Sequence, residues 1–276
     1  MAEITHADQL QKAEFRKLIR ERKTWYWIIG FAVLAGVASA LIWSPTLGPF
    51  AAVAAVAIGV AMVHSTASNK AEQAFYAAYA ESRGFERSDK QLGPATPLLR
   101  KGDKRTTNER FVGQLSPRFE GSLALWTYTE VTRDSKGRKQ ETHYRFTIVL
   151  IKLPDVASRL TEMVVERNDG MGLFDKFEDA FKGKLERLTL ESEALDKRFE
   201  IFIREDQDPN WVRQLFSPSF IVWLTEHPTK DFAFEFGKGK LVAFIPGHRE
   251  STAEFDKVIS DACELAGKLQ AEAVEA

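Results

Sequence analysis

The sequence predicts an α+β protein: a transmembrane helical hairpin followed by a soluble domain of mixed, mainly antiparallel strands and helices. Three observations carry that expectation. From Trp25 to Val63 there is no Asp, Glu, Lys or Arg, and Ser44-Pro45-Thr46 cuts the stretch into two apolar runs. Beyond the connector Leu92-Gly-Pro-Ala-Thr-Pro97, runs with a period of two meet at the turns Asp134-Ser-Lys-Gly-Arg138 and Gly237-Lys-Gly-Lys240. Strands and helices then mix without regular βαβ alternation, which favours antiparallel pairing.

The chain-wide hydrophobic fraction of 44% is ordinary for a globular protein, so the apolar stretch is visible only when composition is read by segment. The 38 basic and 39 acidic residues nearly cancel, and no global field favours nucleic acid as a partner. A single cysteine, Cys263, excludes an internal disulfide and a cysteine-based zinc cluster. Four segments are expected: a basic N-terminal segment 1–24, the hairpin 25–64, a helical linker 65–90 and an α+β domain 91–276.

The first span, residues 25–43, is about 28 Å long as a helix, close to the hydrocarbon thickness of a bilayer. Trp25, Tyr26 and Trp27 at one end and Trp43 at the other are placed as membrane-interface anchors. The second span, residues 47–64, is richer in alanine. Ala32, Gly36 and Ala40 in the first span, and Ala51, Ala55 and Gly59 in the second, recur every four residues. Each set forms one shallow helix face that lets a partner backbone approach, either within the hairpin or in a homo-oligomer. A signal peptide fits poorly, because the basic region is long and a second apolar run follows.

Lys12, Arg16, Lys17, Arg20, Arg22 and Lys23 precede the first span, and Lys70, Arg83 and Arg87 follow the second, while the turn is uncharged. Positive charge stays inside, so both termini of the two-span chain are expected in the cytoplasm. Phe15, Leu18 and Ile19 can share a face beside these cations, as in an interfacial helix on anionic lipid.

After the membrane, Ala71, Ala74, Phe75, Ala78 and Tyr79 recur at helical spacing, and Gly84 stands at a C-cap position. Strands are expected over Glu109–Leu115, Gly121–Arg133, Lys139–Leu153 and Arg198–Arg204, with Met163–Val165 as a short edge. Phe174, Phe177, Phe181 and Leu185 are spaced as a helix. Asp208-Pro209 and Ser217-Pro218 each pair a cap with a proline in the first turn. Phe232–Phe236 and Leu241–Ile245 form a hairpin, and Ser251-Thr-Ala-Glu254 is a capping box opening the last helix.

No motif for catalysis, metal or nucleotide survives its spacing. Gly237-Lys-Gly-Lys240 joins two strands and lacks the spacing of a phosphate loop. Asp206, Asp208 and Asn210 begin like a calcium loop, but Trp211 stands where glycine is required. His6, His64, His143, His227 and His248 are scattered, and Cys263 reads as a small buried thiol. His248, Arg249 and Glu250 form the best exposed polar cluster.

The segment Glu191-Ser-Glu-Ala-Leu-Asp-Lys-Arg-Phe-Glu-Ile-Phe-Ile-Arg-Glu-Asp206, with Leu215-Phe-Ser-Pro-Ser-Phe220, resembles a family of uncharacterised bacterial membrane proteins with an N-terminal two-helix hairpin and a cytoplasmic domain of unknown function. The resemblance in layout spans most of the chain, and in residues Glu191 to about Ile245. It implies a bacterial source and no activity. The expectation is a membrane-anchored, non-enzymatic module without a cofactor, whose partners are the bilayer and a membrane or cytoplasmic protein. The alternative is an enzyme at the cytoplasmic membrane face, its site assembled only by the fold.

Overall fold

The computed structural model describes residues 13, 16–17, 20–42, 46, 48–168 and 185–275. Trp43, most of the Ser44-Pro45-Thr46 turn, Phe15, Leu18, Ile19, and Phe174, Phe177 and Phe181 lie outside them. The chain divides into two compact units. One is built on the N-terminal helices up to Arg83 and takes in Glu250–Thr252; the other comprises Gly84–Arg249 and the chain from Ala253.

The first unit contains α1 (Arg22–Ile42) and α2 (Gly48–Arg83). Both are long and apolar enough to cross a membrane. The second span and its helical extension are one unbroken helix of 36 residues, about 54 Å long, because nothing after His64 breaks it. Its polar half buries Ala71, Phe75, Tyr76, Tyr79 and Ala80, whereas Ala74 is exposed. Gly84 ends it in the left-handed region at φ 68. The sheet-bearing unit takes the chain from there, ahead of the boundary expected at residue 90, because Glu86 and Arg87 pair with Val112 and Phe111.

The second unit is α+β. Among the described residues its nine antiparallel strands are β1 (Glu86–Arg87), β2 (Lys104–Ser116), β3 (Phe119–Arg133), β4 (Lys139–Lys152), β5 (Glu162–Arg167), β6 (Leu185–Leu188), β7 (Phe199–Arg204), β8 (Ala233–Gly237) and β9 (Lys240–Pro246). They form one sheet in the order β1-β2-β3-β4-β9-β8-β5-β7-β6. Met163–Val165 is no edge: it lies in β5 between β8 and β7. All three side chains are fully buried, as an interior strand covered on both faces requires. Leu185 opens β6 opposite Arg204 instead of closing a helix.

Short helices connect the strands: α3 (Pro97–Arg100), α4 (Pro154–Ala157), α5 (Glu193–Asp196), α6 (Pro209–Gln214) and α7 (Pro218–Glu226), with α8 (Thr252–Glu275) closing the chain. Asp208 caps α6 through the Asn210 N–H at 2.9 Å, and Ser217 caps α7 through the Phe220 N–H at 3.3 Å. One sheet face carries Phe111, Leu123, Val149, Ala243 and Phe234. Here α8 docks, with Phe255 and Phe111 ring centroids 6.0 Å apart. Lys268 of α8 lies 5.7 Å over the Trp223 ring, which sets α7 beside α8.

The other face carries Trp126, Tyr128, Phe146, Ile148, Leu150, Val242 and Phe244. A strap, residues 92–101, covers it with Ala95, Leu98 and Leu99. Gly237 makes the close approach possible, since a Cβ there would sit 2.6 Å from the Ala95 carbonyl oxygen. Gly237→Ala is expected to destabilise the full chain by about 2 kcal/mol through overpacking against backbone. Thermal unfolding in detergent, followed by tryptophan fluorescence, measures it.

Candidate functional site

Three features qualify for function: the hairpin surface, a groove at the start of α8, and a buried polar cluster beneath the strap.

In the hairpin, small residues lie inward. Ala32 and Ala55 are buried, and Gly36, Ala40, Ala51 and Gly59 are half-buried. The α1 helix presses Ile28 onto Gly59, where a Cβ would stand 3.1 Å from Ile28 Cγ1. Large apolar side chains point away, among them Phe31, Leu34, Leu41, Phe50, Val53 and Met62. Trp25 is 40% exposed, Tyr26 71% and Trp27 81%. Without small residues at the crossing, the two helix backbones could not approach closely enough for dispersion contacts along their length.

Different elements engage the three residues of the polar cluster expected near α8. His248 Nε2 lies 3.3 Å from both Thr127 Oγ1 and the Trp126 carbonyl oxygen on β3. Burial lowers its pKa, partly opposed by the Trp126 carbonyl, and Arg145 lowers it further. The Arg249 N–H donates to Thr147 Oγ1 at 2.9 Å, and its guanidinium stands 3.6 Å from Glu254. Glu250 is exposed. Arg249 lines an open groove of about 510 Å³ with Lys230, Asp231, Glu254 and Lys257. Buried Asp261 holds one wall, accepting from the Thr229 N–H at 2.8 Å and hydroxyl at 2.5 Å. Cys263 is half-buried in α8, with its pKa raised by burial and opposed by a hydrogen bond with Ser116.

The polar cluster lies on the strap side of the sheet. Glu235 of β8 is fully buried, and both carboxylate oxygens accept from the Leu98 N–H, at 3.1 and 2.9 Å. Burial pushes its pKa up to about 7, although the Thr96 hydroxyl and the Leu98 N–H favour the charged form. Glu166 of β5 is 5% exposed, and its Oε1 has no hydrogen-bond partner among the described residues. Burial, then repulsion from Glu235, lifts its pKa to about 9 against the pull of Lys101. The register that sets Val164 opposite Glu235 puts Glu166 two residues along on the same face.

Lys101, at the end of the strap, lies 5.7 Å over the Tyr128 ring. Burial, then Glu130, Tyr144 and Glu166, raises the Tyr128 pKa, and its hydroxyl is buried without a hydrogen-bond partner among the described residues. At neutral pH Glu166 therefore carries a proton while Glu235 titrates, two carboxyls driven apart by their surroundings. Sequence reasoning missed this cluster. Its one signal is a carboxylate inside the apolar strand Phe232-Ala-Phe-Glu-Phe236. Neither carboxyl lines a groove described here. Among the described residues no group of three or more His, Cys, Asp and Glu is placed to hold a metal ion.

No protein-family model and no curated protein matches the chain, so the resemblance drawn on Glu191–Asp206 gains no support from those comparisons. Among solved structures, the crystal structure of the mycobacterial trehalose monomycolate transport factor A, TtfA, aligns at 10% identity with a TM-score of 0.48. The alignment covers 72% of this chain and 94% of that one.

Two substitutions test the geometry. Gly59→Leu is expected to force α1 and α2 apart and lower the thermal midpoint of the detergent-solubilised chain, by about 1–3 kcal/mol in stability. The raised pKa of Glu166 means that the folded chain binds its proton more tightly than the unfolded chain. Its contribution is complete below the unfolded value of roughly 4.3 and is lost as pH rises towards about 9. Glu166→Gln is expected to flatten that decline and to be the more stable form at alkaline pH, by about 2 kcal/mol. Denaturant unfolding across that pH range measures it.

Proposed function

We propose that this chain is a membrane-anchored, non-enzymatic module of the bacterial inner membrane, with both termini and the sheet-bearing domain cytoplasmic. The observation that carries the reading is the division of the hairpin surface: small residues inward, large apolar residues outward and no charge between Trp25 and Val63. Such a surface is stable in lipid and unstable in water. The basic flank before α1 and the uncharged turn support the orientation.

The domain serves as a binding surface for a protein partner. The groove beside Arg249 and a second of about 410 Å³, lined by Glu193, Lys197, Arg198 and Glu226, are open and mix both signs of charge. Mixed charge on a broad surface selects a partner by electrostatic complementarity. The rival reading, an enzyme built on His248 or Glu250, is less well supported: His248 is bonded to β3 and Glu250 lines neither groove. Lateral association of hairpins would use outward apolar faces, because the small-residue faces are occupied within the hairpin.

A reporter active only outside the cytoplasm, fused after residue 90, is expected to give no signal, and the chain to stay with membranes after alkaline extraction. A reporter signal refutes the orientation; release into the soluble fraction refutes the anchor. A pull-down from gently solubilised membranes is expected to recover a protein that an anchor-only control does not.

A further inference from the structure

On the strap side of the sheet, cationic side chains gather around Arg110 and the facing pair Lys152 and Lys240. A bulge in β2 between Thr107 and Glu109 shifts the strand's alternation by one residue. Phe111 therefore faces α8, and Arg110 faces the strap side with Ser122 and Lys152, by the register of β2, β3 and β4. Together they line a cavity of about 180 Å³, whose one carboxylate among the described residues is Glu120. Lys152 also lines an adjoining groove of about 360 Å³ with Lys238 and Lys240, and among the described residues no carboxylate lines that groove.

The arrangement is unfavourable for the folded chain by itself. Lys152 and Lys240 are register partners, and like charges directly opposite one another repel. Lys238 sits in the hairpin turn at φ 51, in the left-handed region that Asn or Gly adopts more readily. Ser122 is 1% exposed, and its hydroxyl has no hydrogen-bond partner among the described residues. Arg110 is half-buried and its Nε likewise lacks such a partner, although one terminal nitrogen of that guanidinium donates to the Lys90 carbonyl at 3.3 Å. Burial also lowers the Arg110 pKa, as expected of a cation stripped of water. None of Lys152, Lys238 and Lys240 forms an ion pair among the described residues.

We infer that Arg110, Ser122 and Lys152 form a binding site for a phosphate group, extended by Lys238 and Lys240 towards a second anionic group on the same ligand. A phosphate group in the cavity is offered the Arg110 guanidinium and the Ser122 hydroxyl as donors, each of which otherwise leaves a buried donor without a partner. Lys152 supplies charge between the two grooves, and the facing lysines lose their repulsion when an anion lies between them. The inference stands independently of the anchor and its orientation, since every residue belongs to the sheet-bearing unit. A phosphate group can come from a soluble phosphate or from a lipid headgroup, and the chemistry of the site is common to both.

The test is calorimetric titration of the full chain in non-ionic detergent with inorganic phosphate, pyrophosphate and the short-chain lipid dihexanoyl phosphatidic acid. Dihexanoyl phosphatidylcholine is the neutral control. Saturable binding is expected for pyrophosphate or phosphatidic acid, weakened about tenfold by Arg110→Gln or Lys152→Gln. Binding of phosphatidic acid alone assigns the site to a lipid headgroup; binding of pyrophosphate assigns it to soluble phosphates. Ser122→Ala is expected to weaken binding several-fold while leaving the thermal midpoint unchanged or higher, which a purely structural hydroxyl would not do. Lys240→Gln, a surface change that leaves the core intact, is expected to weaken pyrophosphate binding more than binding of inorganic phosphate. Absence of saturation with every probe up to about 10 mM, or binding by the Arg110 and Lys152 variants equal to that of the native chain, overturns the inference.

Discussion

The sheet-bearing unit depends on burying both faces of its central strands. Strands β4, β9, β8 and β5 carry apolar residues on each side, so a single helical layer could not stabilise them. One face is met by α8, whose Phe255, Val258, Ala262, Leu265 and Leu269 are fully buried. The other is met by a short strap in place of a second helical layer. The strap adds Ala95, Leu98 and Leu99 to the core on that face, and its position is also set by backbone-level contacts: the Leu98 N–H on Glu235 and the Ala95 carbonyl over Gly237.

This division accounts for the polar chemistry under the strap. A long helix satisfies most of its own backbone groups, whereas a single turn such as α3 leaves its first N–H groups to find partners on the surface it covers. Glu235 supplies one such partner to Leu98. Glu166, buried on the same face, holds its proton because burial penalises its charged form, and repulsion from Glu235 adds to that effect. Arg100 pairs with Glu162 at the end of the same short helix, an ion pair that remains partly exposed to water. The strap is thus tied to the sheet by hydrogen bonds and charge, interactions that change with pH more than apolar packing does.

The hairpin obeys the complementary rule. In the bilayer proposed for the hairpin no hydrophobic force would join two helices, so close approach at small residues would have to supply the contact. Ile28 against Gly59 is that contact in its simplest form: one branched side chain filling the place of an absent one. The surface left over between Trp25 and Val63 is mostly apolar and carries no charged side chain. Basic residues flank α1, and the sheet-bearing unit carries its cations in clusters, so near-neutral overall charge conceals strong local fields.

The sequence by itself determined the elements whose signal is local. The charge-free stretch from Trp25 to Val63, the period-two strands around Asp134–Arg138 and Gly237–Lys240, the caps at Asp208 and Ser217, and the apolar stripe of α8 were all legible, because periodicity and capping are set by neighbours in the chain. Only the tertiary structure decided that Met163–Val165 is interior, since strand order depends on partners far away in sequence. It alone placed Glu166 and Glu235 together beneath residues 92–101, and turned Arg110 onto the face of Ser122 and Lys152 through a bulge. No spacing rule encodes these placements: they depend on register between strands, where one added residue exchanges the two faces of a sheet.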